Sequence, residues 1–189
     1  MPDELAVHAD PLPYVDALAA RAPDSIDLVV IHCTELPDLA TARRFGERIH
    51  YEKSRTGNSG HYYVDRDGSV HRWVPVDRIA HHTRGYNARS IGIELVNTGR
   101  YPDWLDSRHQ AMDVPYPQAQ IDALIRLLHG MQSTLPSLQW IAGHEDLDTT
   151  EVPASNDASV MVRRKRDPGP LFPWDLVLDS ASLRRLQGG

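Results

Sequence analysis

The sequence has little of what marks disulfide-rich, nucleic-acid-binding or membrane proteins. It contains a single cysteine, Cys33, which excludes a disulfide within the chain and gives no sign of an oxidising compartment. Basic residues are outnumbered, 20 Lys and Arg against 26 Asp and Glu, for a net charge of −6, whereas nucleic-acid binding normally requires a basic surface. No stretch is long and apolar enough to span a bilayer. We therefore expect neither a nucleic-acid nor a membrane partner.

The start of the chain also lacks an export signal. Residues 1–13 are acidic and interrupted by prolines, and they contain neither the basic start nor the apolar run of a secretory leader. This pattern predicts a cytoplasmic protein. With 189 residues, the chain has the length of one domain with a sizeable core, and we divide it into an N-terminal arm, residues 1–25, and a main domain, residues 26–189. Nothing in the sequence indicates the oligomeric state.

Strand-like and helix-like segments alternate along the chain. Residues 28–31 are a continuous apolar run typical of a buried strand, and Asp67-Gly68 predicts the tight turn of a hairpin. This alternation predicts a single-domain α/β fold in which helices pack on a mixed β-sheet. The expected strands cover residues 28–31, 61–65, 69–74, 90–97 and 138–143, and the expected helices cover residues 39–49, 117–128 and 174–187.

Two of the predicted connections, residues 98–116 and residues 145–166, are unusually long for a compact domain. Loops of this length often form the walls or lids of a functional site. A solvated insertion is an equally acceptable interpretation of each loop, so their role stays open at this point.

Three residues far apart in sequence are candidate metal ligands. His32 and His144 each end a short apolar run, where a strand would open into a loop, and Asp167 lies in a loop with Pro168 and Gly169. Side chains at such positions often line a cleft. Two imidazoles and one carboxylate around an open fourth position are typical of a hydrolytic zinc site.

The pattern of these three residues leaves other interpretations open. They are widely spaced, without a short ligand pair such as HExxH, so each histidine is also compatible with a structural role. Two histidines and a carboxylate bind iron in non-haem oxygenases as well. Metal analysis, followed by reconstitution with zinc or with iron, distinguishes the two metals.

Five motifs in a fixed order carry a more specific signal. They are Val30–Thr34, Gly60–Gly68, Ser90–Leu95, Gly143–Asp146 and Lys165–Phe172. Over roughly residues 26–175 the chain resembles the zinc-dependent N-acetylmuramoyl-L-alanine amidases of the type 2 amidase family, whose fold is shared by phage lysozyme-like amidases and peptidoglycan recognition proteins. Gly60 stands where the phage branch has a tyrosine, and that branch lacks a carboxylate at the position of Glu94. The chain is therefore most similar to the bacterial branch that includes the cytoplasmic AmpD-type amidases.

The resemblance implies a reaction and a set of site residues. The reaction is hydrolysis of the amide between the lactyl group of N-acetylmuramic acid and L-alanine in muropeptides, as part of peptidoglycan recycling. The family's zinc ligands fall on His32, His144 and Asp167, which implies one Zn²⁺ per chain. Glu94 matches the catalytic glutamate, and Lys165 matches the lysine two residues before the aspartate ligand.

Elementary chemistry gives Glu94 and Lys165 separate tasks in such a reaction. A base has to accept the proton of the attacking water and pass it to the leaving amine, and alternation along the strand places Glu94 on the face opposite Ile91 and Ile93. The ammonium of Lys165 can stabilise the oxyanion of the tetrahedral intermediate. Without the surrounding motif, an exposed strand carboxylate is the simpler interpretation of Glu94.

Two further histidines match positions of the motifs. His82 resembles the family histidine that lines the substrate cleft, which implies a substrate contact, although a structural role for this side chain is also open. The spacing of His61 does not define its role, and we group it with His82 as a candidate substrate contact.

Two functional alternatives to muropeptide recycling stay open. The same enzyme could act on intact peptidoglycan, as a lysin or an exported amidase. The chain could also be a peptidoglycan-binding module without catalytic activity, but such a module would be expected to lack a metal ligand or the base, and here all of these residues are present.

Overall fold

The structure is a computed structural model that describes residues 5–188. Its strands are β1 Val7–Ala9, β2 Leu28–Cys33, β3 Tyr62–Val64, β4 Val70–Arg72, β5 Ser90–Leu95, β6 Trp140–Gly143, β7 Glu151–Pro153, β8 Met161–Arg163 and β9 Arg184–Arg185. Its α-helices are α1 Leu39–Gly46, α2 Gln118–Thr134, α3 His144–Leu147 and α4 Trp174–Ser180, and short 3-10 helices cover Val15–Ala17, Pro23–Ser25 and Asn87–Arg89.

Strands β2 and β5 form the centre of a seven-stranded mixed sheet. The strand order is β1-β4-β3-β5-β2-β6-β9. Neighbouring strands run parallel except for β3 and β4, which form the hairpin predicted around Asp67-Gly68. Parallel strands require crossover connections, and the connection from β5 to β6, which lie on either side of β2, contains α2. The predicted α/β fold, a mixed sheet packed by helices, is confirmed.

Alternation of side chains gives the two faces of the sheet different roles. Val29 and Ile31 of β2 are buried in the main core, together with Ile91 and Ile93 of β5. The opposite face therefore carries the even-numbered residues of both strands, and these include the candidate site residues. Helix α2 completes the main core with the apolar side chains of Ile121, Leu124, Leu127, Leu128 and Met131.

Several element ends differ from the sequence-based prediction. Helix α1 begins after Asp38 as predicted, with the Asp38 carboxylate accepting a hydrogen bond from the Thr41 N–H at 2.6 Å, but it ends at Gly46 and not at residue 49. Helix α4 ends at Ser180, so the predicted helix over residues 174–187 is wrong in its second half. That part of the chain forms β9, where it pairs in parallel with β6 and satisfies backbone groups that this strand would otherwise expose.

The N-terminal segment packs onto the sheet and onto α1. Strand β1 pairs in parallel with β4, and Leu12, Tyr14 and Leu18 are buried in a second apolar cluster. The Tyr14 hydroxyl donates a hydrogen bond to the Gly46 carbonyl at 2.6 Å. Residues 1–4 of the predicted arm lie outside the described residues, and the division at residue 25 stays a prediction.

The two long connections contact each other. Residues 145–166 contain a separate antiparallel hairpin of β7 and β8. The Ser155 N–H donates to the Leu105 carbonyl at 2.9 Å, and the Ser107 N–H donates to Asn156 Oδ1 at 2.8 Å. Within residues 5–188, no helix combines the length and the apolar character needed to cross a bilayer.

Candidate active site

Neighbouring strands bring one row of side chains to the same end of the sheet. His32 of β2 is paired with Glu94 of β5, which is paired in turn with Tyr63 of β3. The last residue of β6 is paired with the residue before His32, so His144 comes to lie on the other side of His32. Because paired residues point to the same face of a sheet, Tyr63, Glu94 and His32 form a row. The His144 ring extends this row, with its centroid 4.6 Å from that of the His32 ring.

The three predicted metal ligands converge on one point at the end of this row. One ligand atom from each of His32, His144 and Asp167 lies within 4.8 Å of the others. The Oδ2 atom of Asp167 is 2.9 Å from His32 Nδ1 and 3.2 Å from His144 Nδ1. All three side chains are buried. Two imidazole nitrogens and a carboxylate in this arrangement form the donor set of a divalent metal site.

The surroundings of Asp167 also fit a bound cation. Its Oδ1 atom is buried and has no hydrogen-bond partner within the described residues. A buried carboxylate oxygen without a partner is costly, and a metal ion at this point removes that cost. The backbone is fixed by the Glu145 N–H, which donates to the Asp167 carbonyl at 2.9 Å. The site therefore combines a suitable donor set with a carboxylate oxygen that needs a partner.

Burial and neighbouring groups together set the protonation states that metal binding requires. Burial lowers the pKa of His32 to about 4, against the opposing effect of Asp167, so this imidazole is neutral at pH 7. Burial raises the pKa of Asp167, but the neighbouring His144 and His32 outweigh it and hold that pKa well below its usual range. A neutral imidazole and an ionised carboxylate are the forms that bind metal.

His82 contacts His32 on the side of the sheet that carries the candidate site. Its Nδ1 atom is 3.0 Å from His32 Nε2 and 3.0 Å from Thr83 Oγ1, and its Nε2 atom is 3.2 Å from Ser90 Oγ. The side chain also lines the cleft. These contacts show how His82 can orient the His32 ring, while its predicted contact with substrate stays a prediction.

The ring of His82 fits because residue 92 is glycine. A Cβ atom at Gly92 would come within 2.6 Å of His82 Cγ and 2.7 Å of His82 Nδ1. We expect Gly92→Ala to displace His82 and to weaken zinc binding about 10–100-fold, as loss of a group that orients a metal ligand typically does. Competition with a chromophoric chelator measures this.

Gly130→Ala is the matched control, because no atom lies within 4 Å of the added methyl on the exposed side of α2. It should leave zinc affinity unchanged and raise the free energy of unfolding by roughly 0.5–1 kcal/mol. Equal zinc affinity in both variants would contradict the orienting role of His82.

His61 does not reach the cleft. Its side chain is fully buried, and its Nδ1 accepts a hydrogen bond from the Gly92 N–H at 3.1 Å. Its Nε2 is 3.0 Å from the Arg78 carbonyl and 2.8 Å from Arg21 Nη2. Burial, with a smaller contribution from Arg21, lowers its pKa to about 3. These contacts are those of a structural histidine beneath His82, and the predicted substrate contact stays a prediction.

Glu94 projects from the row into the cleft, beside the predicted ligands. A Cβ atom at Gly60 would come within 2.8 Å of Glu94 Cγ, so the glycine leaves space for this side chain. Burial, followed by the negative charge of Asp167, raises the pKa of Glu94 to about 8. No hydrogen bond to its carboxylate is formed by the residues that the structure describes. The carboxylate is thus free to contact a substrate or a water molecule.

The metal-free protein should lose stability as pH rises from about 6.5 to 8. The pKa of Glu94 is about 8 in the folded protein against 4.5 without its surroundings, so between these values the folded state binds more protons than the unfolded state and stability falls with pH. The slope is at most about 1.4 kcal/mol per pH unit. His32 and His61 act in the opposite direction, but only below their ordinary pKa of 6.5.

Denaturant unfolding with a chelator present tests this pH dependence, and Glu94→Gln is the comparison because glutamine does not titrate. The curve of the variant should be flatter between pH 6.5 and pH 8. Parallel curves for the two proteins in this range would show that Glu94 does not titrate near pH 8.

Lys165 lies two residues before Asp167 and lines the same cleft, which has a volume of about 630 Å³. No carboxylate of residues 5–188 forms an ion pair with Lys165, whereas its neighbour Arg164 is paired with Asp148. The ammonium is therefore available to a developing negative charge. The aromatic side chains of Phe45, Tyr51, Tyr63 and Trp104 also line the cleft.

Sequence reasoning missed residues whose position depends on long-range contacts. Tyr63 belongs to the row beside Glu94, and Thr83 is buried with its Oγ1 atom 3.3 Å from His32 Nε2. Alternation along the first strand of the hairpin assigned Tyr63 to one face of that strand. Only the register of β3 against β5 shows that Tyr63 is paired with Glu94. Glu35 and Arg100, which form a buried ion pair in the wall of the cleft, had no local signal.

Comparison with known proteins agrees with this geometry. A profile of the N-acetylmuramoyl-L-alanine amidase family matches residues 22–170. The N-acetylmuramoyl-L-alanine amidase AmiD of Escherichia coli is 34% identical, over 61% of this chain and 42% of AmiD. The 1,6-anhydro-N-acetylmuramyl-L-alanine amidase AmpD of Enterobacter cloacae is 30% identical, over 59% of this chain and 50% of AmpD. The matched region thus spans half the length of these relatives or less.

Solved structures extend the similarity to nearly the whole chain. The amidase LysC from Clostridium intestinale superposes with a TM-score of 0.66 at 19% identity, covering 95% of this chain and 99% of LysC, which shows a shared fold. AmiD from E. coli, in complex with the substrate anhydro-N-acetylmuramic acid-L-Ala-D-γ-Glu-L-Lys, has a TM-score of 0.63 at 26% identity, covering 86% of this chain and 60% of AmiD. The resemblance carried by the five motifs is confirmed, and the protein belongs to the N-acetylmuramoyl-L-alanine amidase family of type 2 amidases.

Proposed function

We propose that this protein is a zinc-dependent hydrolase that cleaves the amide between the lactyl group of N-acetylmuramic acid and L-alanine in muropeptides. The observation that carries the proposal is the convergence of His32, His144 and Asp167 beside Glu94, at the floor of one cleft. Family membership supports the choice of reaction.

Zinc is the metal that this donor set favours for hydrolysis. His32, His144 and Asp167 would hold the ion. When bound, zinc polarises a carbonyl as a Lewis acid and lowers the pKa of water to near 7. The donor set alone also accommodates iron, and metal analysis of the purified protein distinguishes the two.

Glu94 is the proposed general base. Its carboxylate takes the proton from the attacking water and delivers it to the nitrogen of the leaving L-alanine. The pKa of Glu94 is about 8 without a metal, because of burial and the nearby charge of Asp167. A divalent cation beside Asp167 would offset that charge and lower the pKa of Glu94. A lower pKa would favour the ionised form of Glu94, which is the form that acts as the base.

Lys165 is the proposed group that stabilises the oxyanion of the tetrahedral intermediate. The ammonium lines the cleft and has no ion-pair partner among residues 5–188. A charge that is in place before the reaction costs no reorganisation when the oxyanion develops. Removal of such a group typically costs about 10²–10³-fold in kcat.

We further propose that the substrate is a soluble muropeptide and that the protein acts in peptidoglycan recycling in the cytoplasm. AmpD, one of its relatives, is named for the 1,6-anhydro form of the sugar, and AmiD has been solved with an anhydro-muropeptide. A cleft of about 630 Å³ has the size typical of small-ligand sites. Cell fractionation tests the location, and recovery in the cell-wall or periplasmic fraction would contradict it.

Mass spectrometry of products from a defined anhydro-muropeptide tests the reaction directly. We expect a free stem peptide that begins with L-alanine, together with the intact anhydro-sugar, and no product after chelation until zinc is restored. Release of peptide from purified sacculi at a comparable rate would favour a lysin or exported amidase. Binding of muropeptide without zinc-dependent cleavage would show a non-catalytic binding module instead.

A further inference from the structure

A buried arginine joins the long loops that form one wall of the cleft. Arg100 is 2% exposed, and each of its five guanidinium N–H groups faces an acceptor oxygen. Nε donates to Glu35 Oε1 (2.7 Å), Nη1 donates to Gln110 Oε1 (3.2 Å) and the Arg163 carbonyl (2.9 Å), and Nη2 donates to Glu35 Oε2 (2.8 Å) and the Arg164 carbonyl (3.3 Å).

These acceptors belong to three separate parts of the chain. Glu35 follows β2 and lies three residues after His32; its carbonyl also accepts a hydrogen bond from Trp104 Nε1 at 3.0 Å. Gln110 lies within the connection 98–116, as Arg100 does. The two carbonyls belong to Arg163 and Arg164, near the end of the insertion 145–166 and immediately before Lys165. Arg100 therefore connects the end of β2 and both long loops through a single side chain.

We propose that Arg100 is a positioning residue that fixes the segment carrying Lys165 and Asp167 relative to His32. The inference rests on the proposed function for the identity of the metal. Its contacts end on the carbonyls of Arg163 and Arg164, and Arg164 lies one residue before Lys165 and three residues before Asp167. Glu35 holds the guanidinium in place from the side of β2.

The segment that carries Lys165 and Asp167 is also hydrogen-bonded to α3, so Arg100 provides the second of two connections that hold it. Arg163 Nη2 donates to the Glu145 carbonyl at 2.6 Å, and the Glu145 N–H donates to the Asp167 carbonyl at 2.9 Å. These contacts tie the segment to α3, which begins at His144. Arg100 ties the same segment to β2, which carries His32.

A buried ion pair is by itself weak evidence of a contribution to stability. Stability alone therefore does not explain why position 100 carries an arginine with five hydrogen bonds. Lysine at position 100 would keep the charge but offers only three N–H donors on a tetrahedral centre, and it cannot satisfy five acceptors in a plane. Arg100→Lys therefore tests the positioning role while retaining the positive charge beside Glu35.

We expect Arg100→Lys to weaken zinc binding about 10–100-fold, in the range seen when the groups behind metal ligands are lost. In the zinc-saturated variant, kcat should fall by a similar factor, since small misplacements of reacting groups have such effects, with KM changed much less. Chelator competition gives the zinc affinity without any activity measurement. Arg108→Lys is the control, because Arg108 lies on the same loop and its side chain is exposed where it pairs with Asp106.

The results separate this inference from the proposed function. Wild-type protein that binds no zinc would overturn the proposed function itself. A folded Arg100→Lys variant with a lower melting temperature but unchanged zinc affinity and kcat would overturn the positioning role. If Arg100→Lys does not fold, Glu35→Gln takes its place, because it keeps the shape of the pair and removes one charge. Reduced zinc affinity in that variant supports the inference, and unchanged affinity contradicts it.

Discussion

Glu94→Gln is expected to lower kcat about 10²–10⁴-fold, the usual contribution of a general base, which corresponds to roughly 3–5 kcal/mol in the barrier. Glutamine has nearly the same shape as glutamate but cannot accept the proton of the attacking water. Zinc affinity should be unchanged, because Glu94 is not among the three side chains that converge on the metal point. Steady-state kinetics with a defined muropeptide, on samples with measured zinc content, provide the test.

Two companion variants make the Glu94 result specific. Glu94→Asp keeps a carboxylate but withdraws it by one methylene, so its kcat should lie between those of the wild type and Glu94→Gln. Glu151→Gln changes an exposed carboxylate on β7, outside the cleft, and should leave kcat unchanged. Wild-type turnover in the Glu94→Gln variant would remove Glu94 from the mechanism.

Asp167→Asn is expected to abolish stoichiometric zinc binding and, with it, hydrolysis. The carboxylate supplies the only negative charge among the three converging side chains, and both imidazoles approach its Oδ2 atom. Loss of groups behind a metal ligand typically weakens affinity 10–100-fold, so loss of a ligand should cost at least about 100-fold. Both kcat and the zinc content per chain should fall in this variant.

Thermal unfolding gives a second measurement for Asp167→Asn. Zinc at a free concentration of about 1,000 times Kd should stabilise the wild type by roughly 4 kcal/mol, which for a chain of this size raises Tm by roughly 8–16 °C. The variant should show almost no shift at the same concentration. Asp157→Asn alters an exposed aspartate of the insertion 145–166 and should keep the full shift. A wild-type zinc shift in Asp167→Asn would mean that the ion binds elsewhere.

The central elements of the fold were predictable because their signals are local. The apolar run at residues 28–31 and the alternation over residues 90–97 identify β2 and β5, and the helical spacing after Pro117 identifies α2. The ends were less predictable. Strand β9 forms only because the edge of β6 is available for pairing, and the sequence of residues 184–185 contains no sign of that edge.

The candidate site was only partly predictable, for a related reason. Alternation places Glu94 on one face of β5, but its pairing with His32 depends on the register of two strands far apart in sequence. The sequence does not show why positions 60 and 92 are glycine. The structure does, because Glu94 Cγ packs against Gly60 and the His82 ring packs against Gly92. Arg100 and Glu35 lie 65 residues apart in loops, and no periodicity connects such residues.

His61 shows the limit of assigning a role by its place in a motif. The position belongs to the pattern around the hairpin, and yet its side chain is buried between Arg21 and the backbone of Gly92. A buried histidine of this kind supports the strand beneath the site without facing the cleft. A motif therefore identifies a residue that the fold or the reaction requires, and the structure indicates which of the two it serves.

Anomalous scattering at the zinc absorption edge from crystals of the zinc-loaded protein is the most direct test of the central claim. The account predicts one peak per chain, about 2.0–2.2 Å from one nitrogen of His32, one nitrogen of His144 and one oxygen of Asp167, with a remaining position open towards Glu94. A peak at any other place, or no peak at these three side chains in protein that hydrolyses muropeptide, would contradict it.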